Sequence, residues 1–409
     1  MFRIRESVVV ILVAMVAVWG CSKGQAPAQP QKATAKDDSA KAPPGGLDAS
    51  HRELAQKLTD NALRWLLAHR EEDGGWSMGG GANKAAVTAM VLKALIQDPA
   101  YGPDSPDVKK GFEVLLKFRQ KDGGIYEPRL GLANYTTAVS VMALSAAQNP
   151  QYRAIIDDAV KFMKGQQIVA GAESPDGQKI AEDHPFFGGV SYGEQGRPDL
   201  SNLGMWIDAL HEAGVSPDDP AIRNALVFVT RTQNRSESNK SAWALEGGND
   251  GGFVYAPALK GDLARGESKA GPDLGGRGLR SYGSMTYVGF KSLLYAGLTK
   301  QDPRVQAAYD WMRRYWRLDS NPNMPRLQSK QGLFYYYHAF AKALRAWGEP
   351  VITDPEGKQH NWRHELIDML NNLVKEDGSW VNAADRWEEG SGVLVTTYGV
   401  LALQETLKN

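Results

Sequence analysis

The stretch DGGFVY at residues 250–255 recurs in shortened form as DGGW at 73–76, DGGI at 122–125 and DGSW at 377–380. Each copy follows a segment whose apolar residues have helical spacing, and each is followed by a second segment of that kind. The glycines supply the positive φ angles that a chain needs when it leaves one helix and enters an antiparallel neighbour. The repetition therefore predicts a series of helical hairpins.

The helix after each turn carries a second repeated feature. A small residue followed by leucine recurs in it, and the position six residues earlier is usually threonine; this column reads Thr88, Thr137, Leu203, Thr286, Tyr337 and Thr396. The matching turns fall at Asp73, Asp122, Gly188, Asp250, Gly332 and Asp377. Their unequal spacing indicates six hairpins with insertions between them.

Six hairpins can form an open array or a closed ring. An open array is expected to end in atypical repeats with a polar outer face. The last repeat, from residue 377 onward, is as apolar as the second one. We therefore predict an all-α fold, an (α/α)6 toroid of inner and outer helices, over residues 51–409.

The overall composition is that of a globular protein and excludes few functions. The 409 residues are 42% hydrophobic and 23% charged, which suits one large globular domain or two smaller ones. Basic and acidic residues balance at 47 each, so no overall charge favours a nucleic-acid partner, and none is expected. The sequence leaves the oligomeric state open.

Residues 1–21 predict an export signal. Basic residues precede an apolar run from Val8 to Trp19, which is short for a membrane span. A glycine and Cys21 end the run like a bacterial lipobox, so Cys21 is the expected lipidation site, with a plain signal anchor as the alternative. Residues 22–50 are rich in Ala, Pro, Lys and Gln and predict a disordered tether. We expect a lipoprotein of the bacterial cell envelope, anchored to a membrane and facing the periplasm or located in the outer membrane.

The hairpins resemble the QW repeats of the prenyltransferase and squalene cyclase superfamily, which includes squalene oxidase repeat proteins. An aromatic-hydrophobic pair, three residues, glutamine and a Gly-containing turn recur at Phe162-Met163 with Gln167 and at Phe228-Val229 with Gln233. In the first, fifth and sixth repeats Arg70, Trp316 and Val374 replace the glutamine. The resemblance covers about residues 52–405 and implies the toroid fold more specifically than any activity.

The best-known chemistries of this superfamily lack their residues here. Squalene-hopene cyclases protonate an alkene with an Asp-x-Asp-Asp motif, but the corresponding stretch, RPDLSNLGMWIDAL at 197–210, has Asp199 followed by Ser201 and Asn202. A serine hydroxyl is too weak an acid for that step. Protein prenyltransferases need a cysteine ligand for zinc, and Cys21 is the single cysteine of the chain. The same cysteine argument excludes a thioester and a Cys/His zinc site, so we expect no metal and no cofactor.

A central cavity is the predicted functional site, because the starts of parallel inner helices meet at one end of a toroid. Aromatic side chains with a few polar groups are typical of a small-molecule site. The catalytic candidates are Asp199 and His338, and the ligand-binding candidates are Asn134, Asn202, Trp206, Tyr282, Tyr287, Tyr337 and Tyr398. Helix capping and core packing are the alternative roles for these residues.

Two Gly- and Pro-rich insertions, 170–198 and 257–280, precede inner helices. Loops of this length in a compact domain are usually functional or disordered, so we weigh lids over the cavity against solvated loops.

Three functions remain open at this point. The first is a binding or scaffold lipoprotein whose aromatic cavity takes an apolar, isoprenoid-like or lipid ligand. The second is a terpenoid cyclase-like enzyme with a different acid. The third is a carbohydrate-active (α/α)6 enzyme that acts on a glycan, for which two opposed carboxylates are needed and Asp199 is the single candidate. Fold alone does not decide among them.

Overall fold

Two layers of helices make up the fold in the computed structural model, which describes residues 46–408 except 174–176, 178 and 194–195. The inner layer is buried on all sides and comprises α2 Lys84–Ile96, α4 Ala133–Ala146, α6 Leu200–Glu212, α9 Gly283–Tyr295, α11 Leu333–Trp347 and α13 Gly392–Leu407. The outer layer has one buried face and comprises α1 Ala49–Ala68, α3 Pro106–Leu116, α5 Arg153–Gly165, α7 Pro220–Arg231, α10 Pro303–Arg314 and α12 Trp362–Leu373.

Smaller elements lie between these helices. They are the one-turn helix α8 Ala242–Leu245, the 3-10 turns Pro99–Tyr101, Pro150–Tyr152, Arg326–Gln328 and Arg386–Glu388, and the strands β1 Val351–Thr353 and β2 Gln359–Asn361. The two strands pair antiparallel, with Ile352 opposite His360.

The inner helices form a closed ring, which confirms the predicted (α/α)6 toroid. Each one contacts the next, from α2 through α4, α6, α9 and α11 to α13, and α13 contacts α2 again. Outer helices α3, α5, α7, α10 and α12 pack on the inner helix of the hairpin before them, and α1 packs on α13. The outer layer therefore closes at the same place as the inner one.

Several predictions for the amino terminus lie outside the described residues. These are the signal at 1–21, the lipidation site Cys21 and the tether as far as residue 45. Helix α1 begins at Ala49, so the last two residues assigned to the tether belong to the first helix. Within the described residues, no helix has the length and hydropathy needed to cross a membrane.

The threonine column binds the turn to the inner helix. In the first hairpin Thr88 Oγ1 accepts the backbone N–H of Trp76 at 2.9 Å and donates to the Trp76 carbonyl at 3.0 Å. Thr137, Thr286 and Thr396 accept the equivalent N–H groups of Ile125, Phe253 and Trp380 at 3.0 to 3.1 Å. These backbone groups are buried and would otherwise lack a partner, so one hydroxyl fixes each turn against its inner helix.

The turn glycines permit close contact with the next outer helix. Gly251 has φ +83°, and a Cβ added there would lie 2.5 Å from the carbonyl oxygen of Ala307 on α10. A side chain is thus excluded both by backbone conformation and by space. The sixth turn repeats this contact across the closure of the ring, because a Cβ at Gly378 would lie 3.0 Å from Asn61 on α1.

The repeat glutamines make the same connection by hydrogen bonds. Gln233 Nε2 donates to the carbonyls of Gly251 in the turn, at 2.9 Å, and of Arg304 at the start of α10, at 2.8 Å. Gln167 does so with Gly188 and with Ala221 at the start of α7. Both glutamines are buried, which makes these bonds costly to lose.

The fifth turn differs from the sequence prediction. Gly332 directly precedes α11 as its N-cap, where the other turns lie well upstream of their inner helices. Tyr337, at the threonine position, instead donates its hydroxyl to the carbonyl of Leu318 at 2.6 Å. The segment that corresponds to the turns of the other hairpins therefore ends near Leu318. The side chain of Tyr337, which is longer than that of threonine, reaches this segment from α11.

A buried ionic cluster fills the ring at the carboxyl ends of the inner helices. Asp208 on α6 lies 2.6 Å from Lys291 on α9 and 2.7 Å from Lys342 on α11, and Glu212 lies 2.5 Å from Lys93 on α2. Because α6 is not a neighbour of α2 or α11 in the ring, two of these ion pairs cross its interior. Burial opposes ionisation of Asp208, but the charges of Lys291 and Lys342 outweigh it and lower the pKa of Asp208 to about 2.

Replacement of Gly251 by alanine tests the close approach of the turn. The matched control is Gly271→Ala, because Gly271 has φ +82° but open space around its Cβ position. Left-handed strain should cost about 1–2 kcal/mol in both variants, and crowding against Ala307 should add at least about 1 kcal/mol in Gly251→Ala alone. Equal unfolding free energies of the two variants in urea would contradict the contact.

Asp208→Asn tests the ionic cluster. The change leaves Lys291 and Lys342 buried without their shared carboxylate, so we expect a loss of about 3–5 kcal/mol in the free energy of unfolding. Asp157→Asn is the matched control, because Asp157 pairs with Arg153 at 3.0 Å on an exposed surface. That variant should stay within about 0.5 kcal/mol of the wild type. A similarly small effect of Asp208→Asn would refute the structural role.

Candidate functional site

A cavity of about 400 Å³ lies at the amino ends of the inner helices. Six tyrosines dominate its wall, namely Tyr135, Tyr192, Tyr255, Tyr282, Tyr335 and Tyr398, and the remaining lining residues are Met78, Asn83, Leu132, Ser201, Lys269, Ser284, Met285, Gly332, Trp387, Glu388, Glu389 and Leu394. The volume falls in the range of ligand pockets. Two of the predicted ligand-binding residues, Tyr282 and Tyr398, are among the lining.

The tyrosines are held by contacts across the ring. The hydroxyls of Tyr335 on α11 and Ser201 on α6 lie 3.0 Å apart. Tyr335 also packs edge-on against Tyr398 on α13, with ring centroids 6.0 Å apart. Burial raises the pKa of Tyr335 and of Tyr398. These phenols therefore stay neutral at physiological pH and present π faces and hydroxyl groups.

Both insertions contribute to the cavity wall. Tyr192 comes from 170–198 and Lys269 from 257–280. The insertions are joined by Arg197 and Glu267, whose charged atoms lie 2.5 Å apart, and Lys269 pairs with the same carboxylate at 2.5 Å. Lys269 also sits 4.2 Å above the ring of Tyr255. The two segments are thus connected to each other beside the cavity.

Glu389 is a buried acid that the sequence analysis missed. Its side chain is 1% exposed, and its Oε1 accepts the backbone N–H of Tyr335 at 2.8 Å, at the start of α11. Oε2 accepts the side-chain amide of Asn382 at 2.5 Å. Burial raises the pKa of Glu389 to about 7, and the hydrogen bonds from Tyr335 and Asn382 only partly oppose that rise. Within the cavity lining, Glu389 is therefore suited to hold or release a proton near neutral pH.

The backbone just before Glu389 is strained. Trp387 and Glu388 have φ values of 64° and 65°, which are rare for residues with side chains. The Trp387 ring remains 40% exposed and lies 3.0 Å from the Cβ position of Gly332. Strain of this kind on consecutive residues is a common mark of a functional segment. The sequence signal was RWEEGSG at 386–392, an acidic pair in a loop before an inner helix.

Asp199 lies beside the cavity but does not line it. It caps α6, because its Oδ1 accepts the backbone N–H of Asn202 at 2.9 Å, and its Oδ2 accepts the Asn202 side-chain amide at 2.8 Å. Burial raises the pKa of Asp199, while hydrogen bonds from Asn202 and Tyr255 lower it. Tyr255 thus stands between Asp199 and the cavity.

His338 lies between the cavity and the ionic cluster. Its ring is 5.7 Å from that of Tyr398. Burial, together with the charges of Lys342 and Lys291, holds the pKa of His338 well below its usual value. The imidazole is therefore neutral at physiological pH and is separated from the cavity by Tyr398.

The remaining candidates serve the scaffold. Asn134 donates its side-chain amide to the carbonyl of Ser191 at 2.9 Å, which fixes the first insertion to α4. Trp206 donates from its indole N–H to the carbonyl of Met163 on α5 at 3.0 Å. The hydroxyl of Tyr337 is used by the fifth turn, as described above.

Tyr287 packs against other rings below the cavity. Its centroid lies 5.4 Å from that of Tyr336 and 5.1 Å from that of Phe340.

Among the described residues that line the cavity, none is a histidine or a cysteine. The polar groups of this lining are hydroxyls, the amide of Asn83, the indole N–H of Trp387, one lysine and the carboxyls of Glu388 and Glu389.

The overall fold resembles those of two kinds of enzyme. A variant of the type II terpene cyclase MstE from Scytonema, in complex with merosterolic acid A, matches with a TM-score of 0.53 and 14% sequence identity over 88% of this chain and 99% of that one. Another MstE variant, in complex with geranylgeranyl dihydroxybenzoate, has a TM-score of 0.52 and 12% identity, with coverage of 88% and 99%.

The second kind is a glycoside hydrolase. An inactive variant of the α-1,6-mannanase GH76A from a Salegentibacter species, in complex with α-1,6-mannotriose, matches with a TM-score of 0.55 and 11% identity over 87% of this chain and 99% of that one. No family model and no curated protein matches the sequence. The chain has the terpenoid cyclase-like α/α toroid fold, which it shares with these enzymes.

The pH dependence of stability tests the environment of Glu389. Its pKa is about 7 in the folded protein against 4.5 for the ordinary carboxyl, so folding is favoured at low pH and this contribution is lost as the pH rises through 7. The loss should reach about 3 kcal/mol. Glu389→Gln should abolish this pH dependence. Between pH 4.5 and 8, the unfolding free energy of the variant should therefore fall less than that of the wild type. Glu388→Gln, which changes the exposed neighbour, should behave like the wild type. Parallel pH profiles of the wild type and Glu389→Gln would refute this environment.

Proposed function

We propose that the toroid binds a small amphiphilic ligand in its central cavity, with an isoprenoid-like apolar body among the tyrosines and a polar end at Glu389. The observation that carries this proposal is the ring of six tyrosines around a space of about 400 Å³. Aromatic walls with few polar groups favour apolar ligands that are oriented by one or two hydrogen bonds. Glu389 supplies such a group, because its carboxyl can donate or accept near neutral pH.

A solved structure of similar fold contains an isoprenoid ligand. The MstE cyclase binds geranylgeranyl dihydroxybenzoate in a toroid of this kind, and that ligand joins a polyprenyl chain to a polar aromatic head. At 12% identity the comparison supports the fold only, so the ligand class rests on the tyrosine lining of this chain.

Binding is favoured over hydrocarbon cyclisation. Ser201 lines the cavity, and in the sequence it stands at the position that the resemblance assigns to the acid of the cyclase motif, but its hydroxyl cannot protonate an alkene. A carboxyl with a pKa of about 7, such as that of Glu389, is also far too weak an acid for this step. It is suited instead to hydrogen bonding, or to proton exchange with a hydroxyl or amine of the ligand.

A carbohydrate-active enzyme is the second candidate. Trp387 exposes a ring for stacking on a sugar, and Glu388 and Glu389 place two consecutive carboxyls at the cavity. The matched mannanase is inactive when two consecutive aspartates are replaced by asparagine. The insertions that flank the cavity argue against a polymeric substrate, since an extended glycan needs an open groove.

The proposed setting is the bacterial cell envelope. The apolar run that ends at Cys21 supports export and lipidation, which would place the toroid close to a membrane that contains isoprenoid lipids.

Calorimetric titration with geranylgeraniol and with α-1,6-mannotriose tests the proposal. Geranylgeraniol should bind, and Tyr335→Ala or Tyr398→Ala should weaken its binding at least about tenfold, or 1.4 kcal/mol. Tyr152→Ala is the matched control, because Tyr152 packs against Phe112 on the outer layer. If mannotriose binds in place of geranylgeraniol, the carbohydrate function replaces the proposed one.

A further inference from the structure

A cluster of two histidines and an aspartate lies where the outer layer closes, away from the central cavity. Asp48 directly precedes α1, His51 lies in its first turn, and His364 lies on α12. Helices α1 and α12 are the first and last of the outer layer and contact each other. The cluster therefore joins segments that are far apart in sequence.

The donor atoms of the cluster are close enough to share one ion. Asp48 Oδ1 lies 2.9 Å from His51 Nδ1, and Asp48 Oδ2 lies 3.7 Å from His364 Nε2. One ligand atom from each of the three residues falls within 4.8 Å of the others. Ligands of a tetrahedral zinc ion with bonds of 2.0–2.1 Å are about 3.3 Å apart. The two aspartate–histidine distances, 2.9 and 3.7 Å, lie on either side of that value.

Metal binding requires a change at the two imidazoles. The backbone N–H of Asp48 donates to His364 Nε2 at 3.4 Å, and an ion at the cluster would replace this long hydrogen bond on the lone pair of that nitrogen. The two rings are stacked, with centroids 3.9 Å apart and planes 2° from parallel, so one imidazole must rotate out of the stack before both in-plane lone pairs can point to the same ion.

Helix capping accounts for only part of this arrangement. Asp48 Oδ1 accepts the backbone N–H of His51 at 2.8 Å, which is an ordinary N-cap of α1. Capping does not require His364, which comes from another helix and directs a second imidazole to the same carboxylate. Asp368 adds a further carboxylate, 3.5 Å from His51 Nε2, in the position of a group that orients a metal-bound histidine.

We propose that Asp48, His51 and His364 form a binding site for a divalent transition-metal ion of the zinc type, which fastens α1 to α12. The three side chains supply two nitrogen ligands and one oxygen ligand, a set that suits Zn²⁺. The histidines and the aspartate are partly exposed, so water can complete the coordination. The sequence predicted no metal because it lacks a suitable cysteine, whereas this site forms only when the first and last outer helices meet.

Binding of Zn²⁺ to the metal-free full chain, without a histidine tag, tests the site. Calorimetry should show that one ion binds to each wild-type chain. Added Zn²⁺ should also raise the melting temperature, because the site exists only in the folded state. Co²⁺ should give the visible absorption of a tetrahedral complex. His364→Ala should weaken Zn²⁺ binding at least tenfold.

Two further variants separate metal binding from a structural role. Asp48→Asn keeps a good N-cap but removes the charged ligand, so it should fold normally without added metal and bind Zn²⁺ at least tenfold more weakly. His69→Ala is the control, because His69 is exposed and stacks on Trp65 outside the cluster; its affinity should equal that of the wild type. Absence of stoichiometric binding, or wild-type affinity in both His364→Ala and Asp48→Asn, would overturn the proposal.

Discussion

The contact between each turn and its two neighbouring helices determines the whole structure. In four of the six hairpins, a threonine hydroxyl of the inner helix binds the turn from one side, as Thr88 does with Trp76. On the other side the turn glycine brings the backbone against the next outer helix, as Gly251 does with Ala307. Because each such turn sets the position of the following hairpin, the repeated turns produce a ring rather than a set of independent pairs.

The ring makes its two ends chemically different. All inner helices run in one direction, so their amino ends meet at the tyrosine-lined cavity and their carboxyl ends meet at the cluster of Asp208, Glu212 and three lysines. The positive ends of helices favour anionic groups, and Glu389 accepts backbone N–H groups at the start of α11. Lysines at the carboxyl ends follow the same rule. The site therefore owes its electrostatic character to the direction of the helices.

The sequence predicted the fold better than the site, for a physical reason. Turn glycines and threonines act locally and recur, so the pattern could be read from one chain. Cavity lining depends on which side of an inner helix faces the ring and on the paths of the insertions. Of the predicted ligand-binding tyrosines, Tyr282 and Tyr398 line the cavity, whereas Tyr287 and Tyr337 face the packed layers. Glu389 and the His51–His364 pair depend on contacts between distant segments, which no local pattern indicates.

The ionic cluster limits access to the interior of the ring. Side chains from α2, α6, α9 and α11 meet across the interior, so they close the ring at the carboxyl ends of the inner helices. A ligand bound as proposed would have to enter and leave at the amino ends of the inner helices, where Arg197 and Glu267 join the two insertions.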